Sequence, residues 1–115
     1  MERWDERDLA EAIRIGIQHR PEQAFGEYFR GRLSSCALGA VYDGIYHLPA
    51  NLDGVHPQRL DQLFECLDFT IRRCPAGCVK RIPLGALIVH LNDDHQWSRE
   101  RIADWVLTLA KPRTT

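Results

Sequence analysis

Residues Cys74–His95 read CPAGCVKRIPLGALIVHLNDDH, a stretch in which two cysteines and two histidines enclose an almost wholly apolar segment. The four residues follow the spacing C-x3-C-x11-H-x4-H. A zinc ion held by two cysteines and two histidines is commonly found with two to four residues between the cysteines, about twelve before the first histidine and three to five between the histidines. The spacing therefore predicts a zinc site whose ligands are Cys74, Cys78, His90 and His95.

The residues around the cysteines suit metal binding. Pro75 stiffens the turn and Gly77 permits the tight reversal that aims two sulfurs at one point. Positive charge nearby favours the thiolate form, which is the form that binds metal. This positive charge comes from a basic cluster of four residues: Arg72, Arg73, Lys80 and Arg81. The basic cluster is a candidate binding surface, or else simply a solvated face.

Other interpretations of the cysteines and histidines stay open. All four cysteines could be buried apolar groups, and His90 could be a core histidine that donates to a carbonyl. Cys36 and Cys66 lie among apolar residues on predicted helices, so we interpret both as core. A redox pair of Cys74 and Cys78 is disfavoured, since its spacing is x3 rather than x2 and no βαβ pattern surrounds it.

Length and composition limit the class of protein. The 115 residues, 44% hydrophobic and 27% charged, suit a single domain over residues 1–115. The net charge of −1 supplies no global positive field, so we expect only weak nucleic-acid binding. The N-terminus is charged from its second residue and no apolar run approaches the roughly 18 residues of a membrane span, so we expect a cytoplasmic protein with reduced thiols and no membrane contact.

Hydrophobic periodicity predicts a mainly α-helical bundle of five or six short helices, with a zinc knuckle and at most one short β-hairpin. The first helix is capped by Asp5 or Asp8 and ends after His19. Residues 25–33 predict a short or broken second helix. Ser34 or Ser35 is expected to cap the third, over residues 36–48, whose small residues Cys36, Gly39 and Ala40 would let another helix approach closely.

The second half of the chain continues the helical pattern. Residues 49–56 are rich in turn formers and predict a loop, and Pro57 is expected to begin a fourth helix that presents Ile71 among its last apolar residues. A hairpin is expected around residues 74–80, and a fifth helix over residues 83–91. Ser98 is expected to cap a last helix that ends at Pro112, which leaves residues 112–115 as a frayed tail.

Four protein ligands would close the zinc shell, whereas a catalytic zinc keeps one position open for water. Whether the chain is an enzyme is uncertain, and a non-enzyme is favoured. A small zinc hydrolase is the alternative, with His95 off the metal and Asp93 or Asp94 acting as a general base. Both aspartates also fit turn and helix-end positions, and no H-E-x-x-H motif is present. The helix before His90 is too apolar to read DNA bases.

Three segments resemble an uncharacterised family of small proteins from bacterial and phage genomes: RPEQAFGEYF (20–29), SCALGAVYDG (35–44) and IVHLNDDHQWSRERIADWV (88–106). The resemblance covers residues 12–106. It implies an accessory or phage-associated context and a Cys-Pro-x-Cys knuckle, from which this chain departs by the extra residue Gly77.

We therefore expect a non-enzymatic, zinc-stabilised binding or regulatory module that acts through protein–protein contacts. Its partner is not identified by the sequence, and a homo-oligomer stays open. A nucleic-acid-binding accessory protein that uses the basic cluster is a further alternative.

Overall fold

The first helix begins at a capping box. A computed structural model describes residues 4–49 and 60–110, apart from the side chain of residue 61, and places helix α1 at Glu6–His19. The Asp5 carboxylate accepts hydrogen bonds from the backbone N–H groups of Arg7 and Asp8, and the Asp8 carboxylate accepts one from the Asp5 N–H. The predicted start and end of this helix are confirmed.

A small three-stranded sheet follows α1, where a broken helix over residues 25–33 was predicted. Strands β1 (Glu22–Gln23), β2 (Phe29–Arg30) and β3 (Ser34–Ser35) have the order β1-β3-β2, with β1 parallel and β2 antiparallel to β3. The helix prediction is wrong because Gly26 and Gly31 adopt φ angles of 77° and 66°, which lie in the left-handed region and turn the chain.

Helix α2 (Ala37–Tyr46) is capped by a cysteine rather than by a serine. The Cys36 sulfur accepts a hydrogen bond from the Gly39 N–H at 3.3 Å. The prediction that Ser34 or Ser35 caps this helix is wrong because the backbone of both residues is used by β3.

Helices α1 and α2 pack so closely that two glycines are required. A Cβ atom built on Gly16 would lie 2.0 Å from the carbonyl oxygen of Ala40, and one built on Gly44 would lie 2.1 Å from that of Ala12. The small-residue face predicted on α2 is therefore confirmed at Ala40. Gly39 instead packs against the backbone of Tyr28, the residue before β2, and so does not contribute to the contact with α1.

The second half of the chain contains the predicted hairpin. Two single-turn helices, α3 (Leu60–Leu63) and α4 (Cys66–Phe69), replace the continuous fourth helix that was predicted. Strands β4 (Ile71–Arg73) and β5 (Arg81–Pro83) then pair in antiparallel orientation and confirm the hairpin, so Ile71 belongs to a strand and not to a helix. The predicted loop over residues 49–56 and the predicted start at Pro57 fall almost entirely outside the described residues.

The last two helices lie close to their predicted positions. Helix α5 (Leu84–Asp93) begins after Pro83 and continues two residues past its predicted end at Leu91. Helix α6 (Arg99–Thr108) is capped by Ser98, whose side chain accepts from the Arg101 N–H, as predicted. The predicted tail at residues 112–115 is not among the described residues.

The core lies where the four longer helices meet. Helix α1 packs mainly against α2 and α6, while α5 contacts α2, α4 and α6. The larger aliphatic side chains with no exposed surface come from all four: Leu9, Ile13, Val41, Leu84, Leu87, Ile88, Leu91, Ile102 and Val106. The predicted mainly helical fold is confirmed, and no described helix combines the length and apolarity needed to cross a membrane.

A buried arginine ties α6 to the chain that follows α1. The Arg99 guanidinium, 2% exposed, donates to the carbonyl oxygens of Arg20 and Pro21 and to the Ser35 hydroxyl. Arg20 is itself buried, and its Nη1 lies 2.7 Å from Oδ2 of the buried Asp43 on α2. These contacts hold the start of α6 against the small sheet.

The close approach of α1 and α2 generates a stability prediction. Alanine is about 1 kcal/mol better than glycine inside an isolated helix, yet a Cβ at Gly16 meets a backbone carbonyl that cannot move without separating the helices. We expect Gly16→Ala to lower the free energy of unfolding by roughly 1 to 3 kcal/mol in urea titrations. The exposed control Gln18→Ala should change it by less than about 0.5 kcal/mol. A Gly16→Ala variant as stable as the wild type would contradict the packing.

Candidate metal centre

The β4–β5 hairpin places the two cysteines at its closed end. The backbone N–H of Cys74 donates to the Lys80 carbonyl at 2.8 Å, which extends the ladder one pair beyond Arg73 and Arg81. The chain then reverses through Gly77, whose φ of 90° lies in the left-handed region. This turn brings Cys78 back beside Cys74.

The C-terminal end of α5 supplies the two histidines. His90 lies in the last turn of the helix, and His95 follows the C-cap residue Asp94. The N–H of His95 donates to the His90 carbonyl at 3.3 Å, and the N–H of Trp97 donates to the Leu91 carbonyl at 2.9 Å. These bonds fold the chain back over the helix end, so both rings lie on the side that faces the hairpin.

The structure brings the four predicted ligands together. One ligand atom from each of Cys74, Cys78, His90 and His95 lies within 4.8 Å of the other three. The Cys78 sulfur is 3.3 Å from His90 Nε2, and this Nε2 is 3.0 Å from His95 Nε2. A tetrahedral site with ordinary zinc–ligand bond lengths has edges of about 3.3 Å between two nitrogens and about 3.5 Å between sulfur and nitrogen. These two distances are therefore close to the corresponding edges of a tetrahedral metal site.

A carboxylate orients the central histidine. Asp94 Oδ2 lies 2.6 Å from His90 Nδ1, so the Nδ1–H can donate to Asp94 while the Nε2 lone pair faces the cluster. Metal-bound histidines commonly carry such a carboxylate partner on the other ring nitrogen. From the sequence, Asp94 is interpreted as a helix-end residue or, in the hydrolase alternative, as a general base. Its position four residues after His90 is the signal that could have identified this orienting role.

Asp93 does not belong to the cluster. Its Oδ1 accepts hydrogen bonds from the Gly26 N–H at 2.9 Å and from the Asn92 side chain at 2.8 Å. Asn92 also accepts from the Ala37 N–H and donates to the Ala24 carbonyl. Asp93 thus helps to fix the loop before β2 against α5, and its use as a general base at the metal has no support in the geometry.

The two cysteines differ in their environment. Burial raises the pKa of the Cys74 thiol above its ordinary value. Hydrogen bonds from the His95 side chain, the Lys80 backbone and the His90 side chain lower the pKa of Cys78 to about 6. The hydrogen bond with Cys78 is in turn the main cause that raises the pKa of His90, and the bond with His90 lowers that of Asp94. Cys78 therefore carries thiolate character at neutral pH before any metal binds.

The other cysteines lie apart from this cluster. Cys36 is buried at the N-terminus of α2, and Cys66 is half-buried against the core. Burial raises the pKa of Cys36, and it raises that of Cys66 to about 12, so both thiols stay protonated at neutral pH. The prediction that they are core residues is confirmed for Cys36, while Cys66 lies at the core's edge.

The hairpin separates the four predicted cations, although all four are exposed. Lys80 lies close enough to the cluster for its charge to act on both His90 and Asp94. Arg72 lines a cavity with Asp5, Glu6 and Phe69 near the start of α1. Arg73 and Arg81 are paired across the two strands. The basic cluster is thus three separate environments rather than one surface.

The chain matches no protein-family model, and comparisons with curated proteins and with solved structures likewise find no match. The resemblance to small bacterial and phage proteins therefore stays a prediction.

The carboxylate behind His90 generates a second prediction. Loss of such a partner commonly weakens metal binding by about 10- to 100-fold, because the ring loses its fixed orientation and part of its basicity. We expect Asp94→Asn to weaken metal binding by this factor in competition with a chromophoric chelator. Asp93→Asn is the matched control and should leave the affinity unchanged. Equal effects of the two substitutions would contradict a specific role for Asp94.

Proposed function

We propose that the chain is a non-enzymatic binding or regulatory module whose C-terminal half is held together by one zinc ion. The observation that carries the proposal is the convergence of two cysteine sulfurs and two histidine nitrogens within 4.8 Å, from a hairpin turn and a helix end that are separate in the sequence. Two thiolates and two imidazoles in a tetrahedral arrangement are a preferred ligand set of zinc. The two thiolates also neutralise the charge of the ion.

The arrangement supports a structural rather than a catalytic zinc. Four protein ligands fill the tetrahedral shell and leave no position for a water molecule. Asp94 is engaged with His90 Nδ1, and Asp93 with Gly26 and Asn92, so neither is placed to activate water. Within residues 4–49 and 60–110, no second group of metal-ligating side chains accompanies the cluster.

Zinc at this position would join three elements. Cys74 and Cys78 belong to the hairpin turn, His90 to α5, and His95 to the segment that leads into α6. The hairpin consists of two three-residue strands, which are too short to be stable alone. Binding free energy at the metal would therefore contribute directly to the folding of this half of the chain.

The proposal extends to the cellular setting. Reduced cysteines are required for this ligand set, and the cytoplasm keeps thiols reduced, so we place the protein there. The exposed cations and apolar side chains of the hairpin support a role in contacts with another protein, which suits an accessory factor of the bacterial or phage type that the sequence resembles.

The proposal predicts about one zinc ion per chain in protein purified without chelators, measured by elemental analysis. Cys78→Ser should abolish zinc binding because it removes a ligand. Cys36→Ser is the matched control and should retain zinc, since serine can replace the N-cap of α2 and lies outside the cluster. Metal-free wild-type protein, or an X-ray absorption spectrum that shows an oxygen ligand on the zinc, would contradict the proposal of a closed structural zinc site.

A further inference from the structure

One face of the hairpin points away from the core. Cys74 is buried, and Ile82 is half-buried and packs against the core, so their face of the hairpin lies toward the protein, although their partners Lys80 and Arg72 remain exposed. Successive residues of a strand alternate between faces. The other face carries the exposed side chains of Ile71, Arg73 and Arg81 together with the half-buried Pro83, and we call it the outer hairpin face.

Two arginines stand directly opposite each other on this face. Arg73 is the cross-strand partner of Arg81. Hydrogen bonds from Leu84 N–H to Thr70 and from Cys74 N–H to Lys80 mark the hydrogen-bonded pairs of the ladder, and pairs alternate, so Arg73 and Arg81 form a non-hydrogen-bonded pair. In such a pair the Cα atoms are only about 4.5 Å apart, and like charges placed there destabilise the sheet.

Nothing in the described part of the chain compensates this charge. No aspartate or glutamate occurs between residues 70 and 92. Arg14 and Arg20 each have an acidic partner, Asp104 and Asp43, whereas neither Arg73 nor Arg81 forms an ion pair with any described residue. The hairpin thus keeps a repulsive pair at an exposed position where most polar residues would be tolerated.

We propose that the outer hairpin face docks an acidic segment of a partner protein, whose carboxylates lie between Arg73 and Arg81. The inference rests on the proposed function, because the zinc ion fixes the hairpin that presents the two arginines. A guanidinium matches a carboxylate with two parallel hydrogen bonds, and a shared anion converts the repulsion between the arginines into attraction to both.

Exposed aliphatic side chains favour a protein partner over a nucleic acid. Ile71 is 44% exposed on the same face, and Val79, in the hairpin turn, is 84% exposed. Surfaces that bind single strands stack bases on aromatic rings within a broad positive field. Here the exposed Phe69 lines a cavity with Asp5, Glu6 and Arg72, where two carboxylates against one guanidinium leave no positive field for phosphate.

The test uses the full chain and three fluorescent probes at physiological salt. They are a short peptide of alternating glutamate and leucine, the same peptide with glutamine for glutamate, and a short single-stranded oligonucleotide. We expect the acidic peptide to bind most tightly in fluorescence anisotropy, and to shift the backbone amide resonances of Arg73 and Arg81 in NMR spectra of the wild type.

The matched variants are Arg73→Gln/Arg81→Gln and, as the control, Arg32→Gln at another exposed position. The double variant should weaken binding of the acidic peptide about tenfold, since two exposed ion pairs are lost, while the control leaves it unchanged. The double variant should also melt no lower than the wild type, because a repulsive pair has been removed.

Several results would overturn the docking proposal. These are equal binding of the two peptides, tighter binding of the oligonucleotide, equal losses in the double variant and the control, or amide shifts confined to other parts of the chain. Zinc content is measured on the same samples. Zinc-loaded protein that fails these tests refutes the docking surface alone, whereas metal-free wild-type protein refutes the proposed function.

Discussion

The His90 ring occupies the point on which the C-terminal half of the structure depends. Its Nε2 lies 3.3 Å from the Cys78 sulfur and 3.0 Å from His95 Nε2, while its Nδ1 lies 2.6 Å from Asp94. The lone pairs of the Cys78 sulfur and of the two Nε2 atoms repel one another unless a proton or a cation lies among them. A tetrahedral cation satisfies all of them together with Cys74. In the function proposed above, the hairpin turn, the end of α5 and the approach to α6 would acquire their relative positions from this one constraint.

The N-terminal half is held by different forces. Helices α1 and α2 are in backbone contact through Gly16 and Gly44, and Arg99 joins α6 to the chain after α1 through buried hydrogen bonds. None of these contacts involves a residue of the Cys/His cluster. The chain thus combines a helical core that packs through small residues with a peripheral hairpin too short to be stable alone. This division explains why a small domain would use a metal at its edge rather than in its centre.

Spacing and local chemistry predicted which two cysteines and two histidines come together, the hairpin and most helices, since each depends on residues near one another in sequence. Features that depend on the surrounding tertiary structure were not predicted. The aromatic residues of 25–33 have helical spacing, but two left-handed glycines turn that segment into a strand and bends. Cys36 caps α2 because the serines before it are used by β3. The division of the four cations follows from strand register, and a one-residue shift of register would have moved every side chain to the other face.

The central claim is that the ion holds the fold of the C-terminal half, and thermal melting with and without a strong chelator tests it most directly. Zinc content must be measured on the same samples. The account predicts that removal of zinc lowers the melting temperature of the wild type and selectively abolishes amide protection in α5, α6 and the β4–β5 hairpin. An unchanged melting temperature after zinc has demonstrably left would contradict the account and would favour an ion that serves chemistry instead of structure.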